Sequence, residues 1–207
     1  MTKGDAGFGA IESTLKRSAA ALKDARIPFV LSGSLAVFAR GGPESCSDLD
    51  LVVKPSDAER ALEVLEATGM RREDPPEDWL VKAWDDGVLV DLIFGPVGIE
   101  VDDDFVAAAE RINVFSIEMP VMRLEDVFAT KLMSLNDHYI DFAGILKLVR
   151  SVREQVDWDE VRRRTASSPY ARAFFALLHE LDVVPATGVG RPAMPVEAGR
   201  AAVRVLP

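Results

Sequence analysis

Apolar residues recur at spacings of three and four in the first stretch of the chain: Ile11, Leu15, Ala19 and Leu22 share one side of a helix predicted from about Ile11 to Ala25. Residues 1 to 9, rich in glycine and polar groups, read as a loose leader. The short run Phe29-Val30-Leu31 after Pro28 predicts a strand that stops at Ser32-Gly33-Ser34, and residues 35 to 40 have helix-forming composition. After the loop Gly41 to Ser45, the alternation in Ser47-Asp48-Leu49-Asp50-Leu51-Val52-Val53 predicts a second strand with its acids at the entry. A helix capped by Ser56 or Asp57 then runs to about Ala67 and closes at Gly69.

Beyond the exposed turn Asp74 to Asp78, Trp79 to Trp84 and Val88 to Phe94 flank Asp85-Asp86-Gly87, a strong hairpin signal, so the sheet mixes parallel and antiparallel pairs. Asp102 to Arg111 reads as a short helix, and Val114 to Ile117 with Pro120-Val121-Met122 as edge strands, because proline cannot donate to a ladder. Helical patterns follow at about Leu124 to Leu135, His138 to Val152, Trp158 to Thr165 and Tyr170 to Leu181. The expected organisation is therefore a mixed-sheet α/β core over residues 1–122, a helical bundle packed on it over 123–184, and an extended or disordered tail over 185–207.

Composition narrows the function classes. A net charge of −10, from 24 basic against 34 acidic residues, argues against extensive sequence-independent binding to a phosphate backbone, which is driven by Lys and Arg displacing counterions. No stretch reaches the roughly 18 unbroken apolar residues of a membrane span. One cysteine, Cys46, permits no internal disulfide, and the N-terminus lacks the apolar core of a signal peptide, so a cytoplasmic protein is expected.

Three carboxylates carry the candidate chemistry. Asp48 and Asp50 stand two apart on one strand and point the same way, which suits a hard cation such as Mg²⁺ with oxygen ligands. Asp91 is embedded in Val88-Leu89-Val90-Asp91-Leu92-Ile93-Phe94, where a carboxylate costs several kcal/mol, roughly, unless it is paired or metal-bound. Gly33-Ser34, at a sharp turn leading into a helix, offers backbone N–H groups and a hydroxyl to a phosphate. Phosphate turn and acidic cluster together imply a nucleoside triphosphate, held neither by a P-loop nor by a Rossmann fingerprint, whose motifs are missing from the sequence.

In this order the residues resemble the nucleotidyltransferase superfamily of DNA polymerase β type: Gly33-Ser34, then Asp48-Leu49-Asp50, then Asp91 on a later strand. The resemblance covers about residues 27 to 95. It implies that Asp48, Asp50 and Asp91 bind two divalent ions, Mg²⁺ in the first instance, and that Gly33 and Ser34 hold the triphosphate of an NTP donor. It further implies transfer of a nucleoside monophosphate to a hydroxyl acceptor, with Asp91 helping to deprotonate the hydroxyl. The second half resembles AbiEii-type toxins at Lys131, which would neutralise the triphosphate, and at Asp141. The acceptor then is RNA such as tRNA, a protein or a small molecule, with a cognate antitoxin as partner under the toxin reading.

Structural readings stand beside these. Asp102-Asp103-Asp104 reads as a solvated helix start, Arg162-Arg163-Arg164 as ion-pairing on a helix, His138 as a packing or hydrogen-bonding residue and His179 as structural or exposed. Cys46 has no assigned role. The alternatives for the whole chain are a catalytically idle domain of the same fold that binds a nucleotide or a partner, and an α/β protein whose acidic cluster is coincidental.

Overall fold

The computed structural model describes residues 7–44 and 48–184. Residues 1–6 of the expected leader, the strand entry at Cys46-Ser47 and the expected tail at 185–207 lie outside the described residues.

Helix α1 (Phe8–Asp24) buries the predicted stripe completely: Ile11, Leu15, Ala19 and Leu22 are each 0% exposed. At roughly 1.5–3 kcal/mol per large aliphatic side chain, that stripe fixes α1 against the sheet. The helix starts at Phe8, inside the segment assigned to the leader, because the Phe8 ring packs edge-on against Phe38 and Phe115 at 5.0 and 5.4 Å. Strand β1 (Phe29–Leu31) ends where Ser32 turns into the short helix α2 (Gly33–Phe38), and the chain returns as β2 (Asp48–Val53). Helix α3 (Ala58–Ala67) is entered through a 3-10 turn at Pro55–Asp57. The Asp57 side chain makes no capping bond, whereas Gly69, at φ +96°, closes the helix as expected.

The hairpin of β4 (Leu80–Asp85) and β5 (Val88–Ile93) turns on Asp86 and Gly87, both at positive φ (46° and 91°), as a two-residue turn of this twist requires. A three-residue strand, β3 (Arg71–Glu73), pairs with β4 and was not anticipated, since Arg71-Arg72-Glu73 carries no apolar alternation. Short charged strands are how sheets blunt an edge.

The segment after the hairpin differs from expectation. Helix α4 covers Asp103–Ala108 only, and Glu110–Val114 (β6) pairs antiparallel with Ile117–Val121 (β7). The residues between Val114 and Ile117, read as strand, form the turn: Phe115 and Ser116 both have positive φ (50° and 68°). Phe115 accepts that backbone because its ring is stacked on Phe38 at 5.5 Å. Pro120 does not mark an edge either. The sheet order is β3-β4-β5-β2-β1-β7-β6, so β7 is internal, and its pairing with β1 involves Val121, just past the proline.

Helices α5 (Leu124–Met133), α6 (Phe142–Val152), α7 (Trp158–Arg164) and α8 (Pro169–Glu180) complete the chain. The expected start of α6 at His138 moves to Phe142, because Asn136 and Tyr139 close a tight turn through two backbone hydrogen bonds of 3.0 and 3.1 Å. Asp141 then caps the helix, its Oδ1 accepting from the Gly144 N–H at 2.8 Å. One hydrophobic cluster runs from Ile11 in α1 to Val184 and joins sheet and helices. No helix among the described residues is long and apolar enough to cross a membrane.

Candidate active site

Strand alternation and register decide which side chains meet. β2 lies parallel to β5 with Asp50 opposite Asp91, and β5 lies antiparallel to β4 with Asp91 opposite Lys82. Leu49, Leu51, Val90, Leu92 and Ala83 therefore occupy one face, where they are buried beneath α1, and Asp48, Asp50, Asp91 and Lys82 occupy the other. Lys82 Nζ stands 3.9 Å from Asp91 Oδ1, with the two side chains 17% and 13% exposed. At that distance the pair is ionic without being a hydrogen bond.

Gly33 brings the turn between β1 and α2 onto this row. Its φ of +62° lies in the left-handed region, and a Cβ built on it would sit 1.7 Å from Asp50 Oδ2 and 2.7 Å from Asp50 Cγ. A glycine is thus required twice, by the backbone and by the carboxylate packed against it. The Ser32 N–H donates to the Asp50 carbonyl at 2.9 Å, which ties the end of β1 to the middle of β2 and fixes the turn relative to the acids.

The described part of the opposite wall is helical. A cleft of about 460 Å³ is lined by Ser34, Asp48 and Asp50 on the core side, and by Lys131, Tyr139 and Asp141 among others on the helical side. Of the residues predicted from sequence, five therefore meet in one cleft; Gly33 lies buried behind Asp50, and Asp91 lies beside Asp50 on the adjacent strand. Asp141 has a structural duty as the cap of α6, and a Cβ at Gly144 would fall 2.1 Å from Asp141 Oδ2, so a larger residue there would push the capping carboxylate aside.

Two lysines were not found from sequence. Lys82 becomes a neighbour of Asp91 only through the β4–β5 register, and Lys147 reaches the cleft only because α6 lies across it. The amphipathic phase of α6 is the one sequence signal that pointed towards Lys147. Among the described residues neither Lys131 nor Lys147 has an ion-pair partner, so both charges face the cleft uncompensated by a bonded carboxylate.

The remaining candidates fall to structural roles. Asp102 caps α4 by accepting from Phe105 N–H at 2.8 Å, and Asp103 pairs with Lys54 at 2.8 Å. That bond, with the charge of Asp103, raises the Lys54 ammonium above its ordinary value. Arg162 pairs with Asp159 at 3.0 Å and lies 4.6 Å from the Phe175 ring centroid, and Arg164 pairs with Asp126 at 2.6 Å and Glu160 at 3.2 Å. The backbone N–H of His138 donates to Asn136 Oδ1, and both histidines are exposed.

The donor set of Asp48, Asp50 and Asp91, three hard carboxylates on neighbouring positions of one sheet face, fits divalent cations that prefer oxygen. Among the described residues no three potential ligands are drawn close enough to enclose an ion.

Comparison with known proteins agrees with this geometry. No curated protein matches the sequence. Among solved structures, the crystal structure of ANT(2″)-Ia in complex with adenylyl-2″-tobramycin superposes with a TM-score of 0.58 at 14% identity, covering 81% of this chain and 98% of the other. The solution structure of the antibiotic-resistance factor ANT(2″)-Ia gives 0.59 at 15% identity, covering 83% and 97%. An antigenic nucleotidyltransferase-like protein from Paracoccidioides brasiliensis gives 0.51 at 15% identity, covering 83% and 89%. At such identities the likeness is one of fold. A family model described as "uncharacterised nucleotidyltransferase" matches residues 19–182, and with most of its length so matched this chain belongs to that nucleotidyltransferase family.

Proposed function

We propose that the cleft binds an NTP with Mg²⁺ and transfers its nucleoside monophosphate to the hydroxyl of a small-molecule acceptor, with pyrophosphate as the leaving group. The observation that carries this reading is the packing of Asp50 on Gly33, which sets a phosphate-binding turn directly against the carboxylate row inside a cleft that also presents Lys131. In the transfer a bond forms between the acceptor oxygen and the α-phosphorus, the bond from that phosphorus to the bridging oxygen breaks, and the acceptor proton passes to Asp91.

Asp48, Asp50 and Asp91 hold the divalent ions, which supply charge neutralisation at the phosphates and a lowered acceptor pKa. Ser34 donates its hydroxyl to the triphosphate, and Lys131 and Lys147 offset its negative charge. Lys82 flanks Asp91 from β4, on the side away from Asp50, and balances part of its charge. Asp141 contributes by holding α6, and with it the helical wall, at the cleft.

Two features support a small acceptor over a macromolecular one. The volume of about 460 Å³ lies within the roughly 300–1,000 Å³ typical of small-molecule sites. Part of the basic surface that an RNA would need is taken up, since Arg153, Arg162 and Arg164 are engaged by their own acidic neighbours. One of the fold neighbours was solved with an adenylyl-2″-tobramycin, which makes an adenylyl donor the first to try.

The test is pyrophosphate release from each NTP with Mg²⁺ and a pool of small hydroxylated acceptors. The reading expects pyrophosphate, dependent on acceptor and lost in Asp91→Asn. Release of orthophosphate instead would rule out attack at the α-phosphorus. Growth arrest on expression that Asp48→Ala abolishes would favour the toxin reading and its macromolecular acceptor.

A further inference from the structure

Tyr139 is the one cleft residue whose exposure the fold does not explain. Five large apolar side chains are exposed among the described residues (Trp79, Val97, Tyr139, Ile140 and Leu181), and of these only Tyr139 lines the cleft. The residue is 55% exposed, so burial contributes little to keeping it there.

The turn that carries it is nevertheless firmly held. Asn136 and Tyr139 exchange backbone hydrogen bonds, the His138 N–H donates to Asn136 Oδ1 at 2.9 Å, and Asn136 Nδ2 donates to the Ser134 carbonyl at 3.1 Å. The Tyr170 hydroxyl, from α8, donates to Asp137 Oδ1 and anchors the turn to the bundle. An exposed ring on a braced turn is presented at little further ordering cost, so any contact it makes with a ligand appears almost undiminished in affinity.

Its place along the wall says which part of a ligand it meets. Lys131 and Ser134 lie one helical turn apart at the end of α5, and the turn bearing Tyr139 continues directly from that end, so the wall passes from ammonium to hydroxyl to aromatic ring. A nucleoside triphosphate has the same sequence of chemistry, from phosphate through sugar to flat base.

We propose that the Tyr139 ring is the stacking platform for the nucleobase of the donor; this rests on the reading of the cleft as an NTP site. Every base offers a π-face, so the platform supplies affinity without choosing the base. Purines, with the larger face, gain more than pyrimidines.

Calorimetric titration with Mg²⁺ tests it, using ATP, GTP, CTP, UTP and inorganic tripolyphosphate against wild type, Tyr139→Ala and Tyr139→Phe. The side chain makes no turn bond, so both variants should melt as wild type does. The expected result is that Tyr139→Ala weakens the bound NTP about tenfold, leaves tripolyphosphate unchanged, and is rescued by Tyr139→Phe. Binding of the NTP within twofold of wild type by Tyr139→Ala overturns the platform alone, as does an equal loss for tripolyphosphate. A rise confined to the KM of an acceptor would assign the ring to the acceptor and overturn it too. Wild type that binds neither NTP nor tripolyphosphate overturns the underlying reading of the site.

Discussion

Two cavities among the described residues are each lined by both basic and acidic side chains and differ in how those charges are used. The smaller, about 270 Å³, is lined by Arg40, Glu110, Arg123, Leu124, Glu125 and Gln155. Its cations are ion-paired from within. Arg123 lies 3.2 Å from Glu160 and 3.4 Å from Glu125, and Arg40 lies 3.1 Å from Glu110 while its Nη1 donates to the Ala36 carbonyl at 2.9 Å. Burial pulls the Arg123 guanidinium down, but Glu125, Glu160 and Asp126 outweigh it and raise it above its ordinary value. Glu125 is itself bound by the Asp157 N–H at 2.9 Å. In the larger cleft Lys131 and Lys147 have no such partner among the described residues, and three acids are gathered on the sheet face beside them. Charges that cancel internally hold a fold together; charges left facing a cleft are available to a ligand.

Two aspartates of one hairpin lie on opposite faces of the sheet. Asp85, 4% exposed, receives the Arg17 guanidinium at 2.6 Å and the Thr14 hydroxyl at 2.7 Å, and clamps α1 to the sheet. Asp91, on the opposite face, meets Lys82 at 3.9 Å and sits next to Asp50.

The sharpest way to break the contrast is to remove charge from each region in turn. Asp91→Asn should lower turnover by about 10²–10⁴-fold, the range of a lost general base, with the melting temperature little changed; steady-state kinetics and a melt on the same sample check both. Gly33→Ala should cost about a hundredfold in turnover, because its Cβ displaces Asp50 by an ångström or more. An alanine variant with wild-type turnover would show that the close approach of turn and carboxylate is incidental.

Smaller effects distinguish the cavities. Lys131→Met should weaken NTP binding about tenfold or somewhat more, the worth of one charge-assisted contact, without loss of stability. Arg123→Met should do the reverse, costing about 1.5–3 kcal/mol in denaturant melts and leaving nucleotide affinity as it was. Weakened nucleotide binding in Arg123→Met would merge the two regions. Smallest is the cap: Asp141→Ala should destabilise by about 1 kcal/mol and Asp141→Asn by a few tenths, since asparagine caps as well as aspartate. A large loss of nucleotide affinity in Asp141→Asn would give that carboxylate a direct part in binding.

Local chemistry was legible in the sequence and long-range register was not. The Ile11 to Leu22 stripe, the Asp86-Gly87 turn and the alternation around Asp48 and Asp50 all depend on near neighbours, and the structure has each of them. β3 escaped because Arg71-Arg72-Glu73 owes its strand conformation to β4 and not to its own composition. The Phe115-Ser116 turn carries no glycine or asparagine; it is set by rings from α1 and α2 that arrive from far along the chain. Lys82 was invisible for the same reason, since nothing in its own segment marks it as facing Asp91, and the amphipathic phase of α6 hints at Lys147 without showing that the helix lies across the cleft. Asp141 is a nucleotide-site candidate from sequence, and its capping of α6 emerges only with the helix start at Phe142.

The central claim is that the larger cleft is a Mg²⁺–NTP site, and thermal unfolding with Mg²⁺ and each NTP tests it without knowledge of the acceptor. A ligand at a hundred times its Kd stabilises by about 2.7 kcal/mol. In a domain of this size that raises Tm by roughly 5–10 °C. The account predicts such a rise with at least one NTP, dependent on Mg²⁺ and absent in Asp48→Ala/Asp50→Ala. An unchanged Tm with all four NTPs at millimolar concentration, or a rise that survives in the double variant, would contradict it.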